Sequence, residues 1–363
     1  MGPAPPYNRG QGVVRASRAQ VGRDGAAHSS HLDRVLCSHF VRRLRALLPF
    51  IILGLVVLIA GSAWMTNPVG EAIVLVEEEA DPVRLERDVR ALTGLEGYRC
   101  FERPDDLEGA ADWAKNALMA SGLPVEEQSF GAGDRSFRYF VGHYGDTEGP
   151  VLVVGAHYDV CGEQPGADDN ASGVAGLLEL ARLLARQQPE VRHRIELALW
   201  PLEEPPNFRT PAMGSAIHAN SLALSGADVR GMISLEMIGY FSDEKGSQSF
   251  PAPGMSLLYT SRGDGIVVVG NSSSWWFTRR VKKRMAGSTE LTVRSINAPA
   301  FVPGIDFSDH LNFWQAGWKA VMITDTAFYR NSNYHEPTDT PDTLDYERMA
   351  DVVTGVYAAI TTL

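Results

Sequence analysis

The run Val151-Leu-Val-Val-Gly-Ala-His157-Tyr-Asp159-Val-Cys-Gly-Glu-Gln-Pro-Gly-Ala-Asp168-Asp169-Asn170-Ala-Ser-Gly173 is the stretch from which the rest of the chain can be read. Its first four residues are apolar and lie between Pro150 and Gly155, the pattern of a fully buried strand. Beyond Gly173 the period changes. Leu177, Leu178, Leu180, Ala181 and Leu184 fall on one helical face between Val174 and Leu184. His157 and Asp159 therefore leave the end of a strand, and Asp168, Asp169 and Asn170 sit just before a helix. In α/β folds the loops at the carboxyl ends of the strands are where ligands bind.

Neutral imidazole and carboxylate oxygens are good ligands for a divalent ion such as zinc. Side chains two apart in an extended segment point the same way, so Asp159 can support the ring of His157 and fix its tautomer. A capped loop is the plainer alternative, because Asp, Asn and Ser are ordinary residues at a helix start.

Further along, two more strand-like runs end in acids. Leu197-Ala-Leu-Trp-Pro-Leu202 is followed by Glu203-Glu204, and Ile233-Ser-Leu235 by Glu236. Adjacent carboxylates can divide labour: one ligates a metal while the other takes a proton from a bound water. A Glu-Glu pair alone would read as a solvated turn. An acid after an apolar strand, such as Glu236, is costly unless paired or metal-bound. Beyond the last strand comes Asn333-Tyr334-His335-Glu-Pro-Thr-Asp-Thr340.

The chain has 363 residues, enough for one large domain or two of medium size, and its 44% hydrophobic content is ordinary for a globular protein. A net charge of −11 argues against a nucleic-acid partner, which calls for a basic surface. The three cysteines, Cys37, Cys100 and Cys161, form no CxxC pair and give no metal or redox signature; Cys100 and Cys161 are the two that can pair.

Residues 1–45 read as a disordered basic segment, rich in Gly, Pro, Ser and Arg. Residues 46–66, ALLPFIILGLVVLIAGSAWMT, carry no charge and match the roughly 20 residues needed to span a bilayer. Arg42, Arg43 and Arg45 flank this run and place that side in the cytoplasm. An uncleaved anchor is favoured by the length of the run. The alternative is a secretory signal cut after Ala63. Either way the rest of the chain lies outside the cytoplasm, in a periplasmic or extracellular setting.

Residues 67–80 form a linker, and 81–363 the main domain. Asp81-Pro82 opens a helix, and Leu107 to Ser121 forms a second. Strands are expected at Val125–Phe130, Arg138–His143, Val151–Val154, Arg194–Trp200, Val229–Ile238, Gly265–Val269 and Ala320–Thr324. Helices follow Gly173 and fall at Met213–Leu224, Ser273–Ala286 and Asp345–Leu363. Strands alternating with helices predict an α/β/α sandwich of three layers around a mostly parallel mixed sheet. The polar stretch Phe241–Gly263 is long for a connection and predicts a lid or specificity loop.

These motifs, in this order, resemble metallopeptidase family M28, the di-zinc exopeptidases whose members include aminopeptidases. The resemblance covers about Asp81 to Leu363. It rests on GAHYD, on GADDNASG, on Glu-Glu after a strand, on the acid of LEMIGY, and on a late Tyr-His followed by Asp-Thr. It implies two Zn2+ ions, with other divalent metals possible. His157 and Glu236 would hold one, Glu204 and His335 the other, and Asp169 would bridge them. It further implies Glu203 as general base, Asp159 as the group orienting His157, and Tyr334 as hydrogen-bond donor to the substrate carbonyl. Asp309 and His310, in FSDHLNFW, resemble a supporting Asp-His pair behind the ligands, with a structural role as the alternative.

The chain departs from the family pattern twice. Glu236 stands where Asp is common, and Pro205 to Met213 is an apparent insertion beside the base. The expected activity is hydrolysis of an N-terminal peptide bond. The alternatives are a single-zinc glutaminyl cyclase, against which His157 argues, and an inactive membrane-tethered binding protein, against which Glu203 and the full ligand set argue.

Overall fold

The computed structural model describes residues 24–70, 74 and 76–363. It divides into two units, one ending at Ala60 and one running from Gly61 to Leu363. Helix α1 spans Asp24–Thr66. Within it, the 21 residues Ala46–Thr66 are long and apolar enough to cross a membrane, as the uncharged sequence predicts.

The disorder expected through residue 45 is corrected in part: Asp24 to Arg45 is helical, and residues 1–23 lie outside the described residues. The reason is local. No proline falls between Pro6 and Pro49, and Ala, Leu and Arg, all good helix formers, recur from Ala26 onward. Extending an existing helix also avoids the cost of a new nucleus.

The second unit is built on eight strands. They are β1 (Val125–Ala132), β2 (Arg135–Gly145), β3 (Val151–His157), β4 (Arg194–Trp200), β5 (Val229–Leu235), β6 (Gly265–Gly270), β7 (Thr292–Asn297) and β8 (Ala320–Thr324). Their order across the sheet is β1-β2-β4-β3-β5-β8-β6-β7. The central strands β4, β3, β5 and β8 are mutually parallel. β1 and β2 are added antiparallel at one edge, while β6 runs antiparallel to β8 and carries β7 parallel to itself at the other.

Helices cover both faces, which makes the three expected layers. On one side lie α2 (Pro82–Thr93), α3 (Pro104–Met119), α4 (Gly173–Gln187), α6 (Trp275–Met285) and α8 (Tyr346–Thr362); on the other lie α5 (Gly214–Ser225) and α7 (His310–Gln315). The strands feed both layers by alternation. Leu152, Val154 and Ala156 of β3 enter the larger core with Leu177 and Leu180 of α4. Val151 and Val153 enter the smaller one with Trp200 and Phe313. Gly155 belongs to this second face, and only glycine fits there: a Cβ would stand 1.9 Å from the Trp200 ring.

The predicted cap is present, with Asp81 accepting a hydrogen bond from the Val83 N–H (2.9 Å) ahead of Pro82. Several strands run longer than expected, β2 over Arg135–Gly145 and β3 as far as His157, and two others differ in kind. β7 was not anticipated, because Thr292-Val-Arg-Ser-Ile-Asn297 has only two large apolar residues; it becomes a strand by pairing along the whole length of β6. β5 stops at Leu235 instead of Ile238, because Met237 takes a left-handed conformation (φ 52°) that turns the chain out of the sheet.

Candidate metal centre

The turn after β5 matters because it belongs to a set. The parallel strands β3, β4 and β5 end at one rim of the sheet, and each delivers acids or a histidine there. His157 is the last residue of β3, Glu203-Glu204 follow β4, and Glu236 follows β5 directly. His335 arrives on the loop beyond β8. Three non-glycine residues with positive φ stand at these points: Leu202 (65°) before the glutamate pair, Met237 (52°) after Glu236, and His335 itself (59°). Such conformations cost energy and persist where the surroundings hold them, typically at functional sites.

The supports are hydrogen bonds from side chains to backbone. Asp159 gathers the Glu203 and Glu204 amides, one on each carboxylate oxygen (3.2 and 3.1 Å). Asp339 does the same for the Asp168 and Asp169 amides (2.9 and 3.1 Å). The Asn170 amide group donates to the Leu235 carbonyl and accepts from the Gly173 and Met237 N–H groups, tying the start of α4 to the end of β5. The Arg99 guanidinium, buried, donates to the carbonyls of Tyr158, Pro165 and Gly166 and fixes the loop between β3 and Asp168.

On this frame the five expected ligands converge. His157 Nε2 lies 3.4 Å from Asp169 Oδ1 and 3.4 Å from Glu236 Oε2. His335 Nε2 lies 3.1 Å from Asp169 Oδ2 and 3.4 Å from Glu204 Oε1. Asp169 thus faces both histidines, one with each oxygen. Glu203 Oε2 stands 4.0 Å from His157 Nε2. The expected support of His157 by Asp159 takes a specific form: its Nδ1 meets the Asp159 backbone carbonyl at 3.1 Å, with the carboxylate at 3.4 Å. A donor Nδ1–H leaves Nε2 as the ring atom turned toward the acids, the one available to a metal.

Three buried atoms in this cluster, His157 Nε2, Glu204 Oε1 and His335 Nε2, have no hydrogen-bond partner. Orphaned buried polar atoms are rare and call for an explanation. His157, Asp169 and Glu204 each bring a ligand atom to within 4.8 Å of the others. Donors arranged about a common point, and not toward one another, fit a divalent ion.

The electrostatics say the same. Burial lifts the Glu204 carboxyl to about 8, helped by Asp169 beside it. Burial and the neighbouring Glu236, Glu204 and Asp309 hold Glu203 well above the usual range, against the pull of His157. Burial would lower His335, yet the Asp169 and Glu204 carboxylates beside it raise it to about 10. Burial likewise opposes charge on His157, but Glu236, Asp159 and Asp169 drive it up. Crowded carboxylates that stay protonated or recruit protonated imidazoles are short of positive charge, which a dication supplies.

The remaining expected residues fall in different places. The Tyr334 ring stacks on His335, with centroids 3.8 Å apart, and burial with Asp169 and Glu204 nearby raises its phenol far above the usual value. Asp309 accepts from the Ser215 hydroxyl, has its second oxygen unpaired, and is lifted to about 7 by burial. His310 turns instead to the Ile305 carbonyl (2.8 Å) and lies edge-on to Trp314. The Asp-His pair is therefore split: Asp309 senses the charges of His157 and Glu236, and His310 packs against α7 and its preceding loop.

Ser308, which donates to Glu236 Oε2 (2.7 Å), was not legible in sequence, and neither was the Asp168 network. Asp168 accepts from the Gly239 N–H and from Asn331. Cys100 and Cys161 are both free, so the possible disulfide is not formed.

An open pocket lies beside the cluster, with Glu236 and Tyr334 in its wall. The rest of the lining is largely apolar and comes from three loops and the strands between them, the third loop being the one that follows β8. Phe250, Met255 and Tyr259 belong to the long Phe241–Gly263 connection, and Ile305 and Phe307 to the loop before α7. The insertion after Glu204 braces this wall. Phe208 packs edge-on to Phe307, and Arg209 pairs with Asp306 and lies over the Phe307 ring.

The chain matches the model of peptidase family M28 over residues 140–360. It is 46% identical to the uncharacterized protein YfbL of Escherichia coli K12, over 80% of this chain and 91% of that one. It is 26% identical to leucine aminopeptidase 1 of Arthroderma otae, over 73% of this chain and 69% of that one. Among solved structures, the LapA aminopeptidase of Legionella pneumophila superposes with a TM-score of 0.62 at 20% identity, covering 78% of this chain and 72% of that one. Glutaminyl cyclases also share the fold. The chain belongs to peptidase family M28.

Proposed function

Taking membership of family M28 as the premise, we propose that the chain is a metal-dependent aminopeptidase that removes apolar N-terminal residues from peptides. The observation that carries this reading is the convergence of His157, Asp169, Glu204, Glu236 and His335 with three buried, unpartnered donor atoms among them. His157 and Glu236 would hold one divalent ion, Glu204 and His335 the other, and Asp169 both. Zinc suits this mix of imidazole and carboxylate. When bound, the ions supply Lewis acidity toward a peptide carbonyl and toward water.

The chain's own residues do the rest. Glu203, whose burial favours holding a proton, accepts one from the attacking water and passes it to the leaving amine. Tyr334, kept protonated by burial and the surrounding acids, donates to the substrate carbonyl oxygen as charge develops there. The cavity behind Glu236 and Tyr334 receives the first side chain of the substrate, and its Phe250, Met255 and Ile305 walls favour a large apolar one.

The test is a panel of aminoacyl-anilides with and without chelator, coupled to elemental analysis. Leucyl and phenylalanyl substrates should be cut fastest, the activity should vanish with chelator, and metal should approach two ions per chain. One ion per chain at saturating zinc, with cyclisation of N-terminal glutamine and no anilide hydrolysis, would reverse the reading in favour of a glutaminyl cyclase.

The apolar Ala46–Thr66 segment is proposed as an anchor that leaves the peptidase domain outside the cytoplasm. Export-dependent reporters fused after Glu79 should be active. Reporter activity confined to the cytoplasm would refute this topology.

A further inference from the structure

The loop between β3 and α4 carries a thiol that ordinary cysteine spacing gives no reason to notice. Cys161 has no CxxC partner and no disulfide. The fold nevertheless brings its Sγ together with a carboxylate oxygen of Glu204 and a ring nitrogen of His335, all within 4.8 Å of one another. Two observations independent of the thiol point at the space they share. Glu204 Oε1 is buried without a hydrogen-bond partner, and so is His335 Nε2, 3.4 Å away.

We propose that Cys161 is a third side-chain ligand of the ion held by Glu204 and His335, alongside the bridging Asp169. This rests on the metal-dependent reading above and adds an asymmetry to it. One position offers one sulfur, one nitrogen and two carboxylates; the other offers His157, Asp169 and Glu236. Four protein donors would fill a four-coordinate zinc site, whereas three would leave room for water. That room would then lie beside His157, the histidine Glu203 approaches at 4.0 Å. A thiolate also makes its position the softer of the two, selective for zinc or cadmium over manganese or magnesium. Ligation forms an S–metal bond as the S–H proton leaves to solvent, so no oxidant or reductant is needed.

The experiment uses the full chain, stripped with chelator and titrated with cadmium under argon. A thiolate-to-cadmium charge-transfer band should grow with the first equivalent, vanish in Cys161→Ser and persist in Cys100→Ser. Cadmium affinity in Cys161→Ser should fall at least about tenfold, the lower end of what losing even a ligand's supporting partner costs. As a check that needs no variant, zinc should slow alkylation of Cys161 in the native chain, read by peptide mass spectrometry. A band that survives in Cys161→Ser, the absence of any band, or alkylation indifferent to zinc would each overturn the proposal. None of these readouts uses a substrate, so Cys161 can fail as a ligand while the peptidase reading stands. Loss of anilide hydrolysis with the band intact would do the reverse.

Discussion

Asp168-Asp169 and Glu203-Glu204 are both pairs of adjacent acids at a strand rim, and the fold uses them differently. In the first pair the carboxylates part company. Asp169 is extended (φ −104°, ψ 88°), so successive side chains point to opposite sides. Asp169 meets both histidines, while Asp168 turns inward to the Gly239 N–H, Asn331 and Asp325. In the second pair the left-handed Leu202 and the grip of Asp159 on both amides curl the chain. Both carboxylates then face the histidines, Glu204 toward His335 and Glu203 toward His157. On the function proposed above, the first pair supplies one ligand and one structural strut, and the second one ligand and the base. The backbone between them makes the difference.

That contrast is open to direct attack, and the glutamate pair should show the largest effects. Glu203→Gln removes a proton acceptor while keeping its shape, so turnover should fall by about 10²–10⁴-fold, the usual contribution of a positioned base. Metal content should not change. Glu204→Gln alters a proposed ligand, and elemental analysis should find loss of metal together with loss of rate. If Glu203→Gln sheds metal and Glu204→Gln keeps both metal and rate, the two roles are reversed.

Asp168 should respond least. Burial and Asp325 hold its carboxyl well above the usual range, and Asp168→Asn keeps its size while removing the acid. The amide cannot satisfy every donor around it. Denaturant unfolding should therefore record a loss of about 1–3 kcal/mol, the cost of one unsatisfied buried polar group. Metal content should stay, and turnover should fall far less than in Glu203→Gln. Loss of metal from Asp168→Asn would show that both aspartates ligate and would erase the contrast between the pairs.

The sequence by itself determined the sandwich and the three strand ends that carry the site, and its family motifs pointed to the five residues that converge there. Burial and period are written in local composition. Val151–Val154 and Ile233-Ser-Leu235 can only be interior, and acids placed directly after such runs need a counter-charge. Family motifs then separate Asp169 from Asp168 and Glu203 from Glu204, which composition cannot do.

Other features depended on partners distant in the chain, and only the tertiary structure decided them. β7 exists because β6 pairs with it along its length. His310 left the site because Ile305 and Trp314 hold its ring. The Phe241–Gly263 connection became a cavity wall by meeting the loop before α7. Cys161 reached Glu204 and His335 because Arg99 pins the loop that carries it, a contact across 59 to 67 residues of chain. Hydrogen bonds and packing between distant segments leave no periodic trace in sequence, so these positions follow from the folded geometry alone.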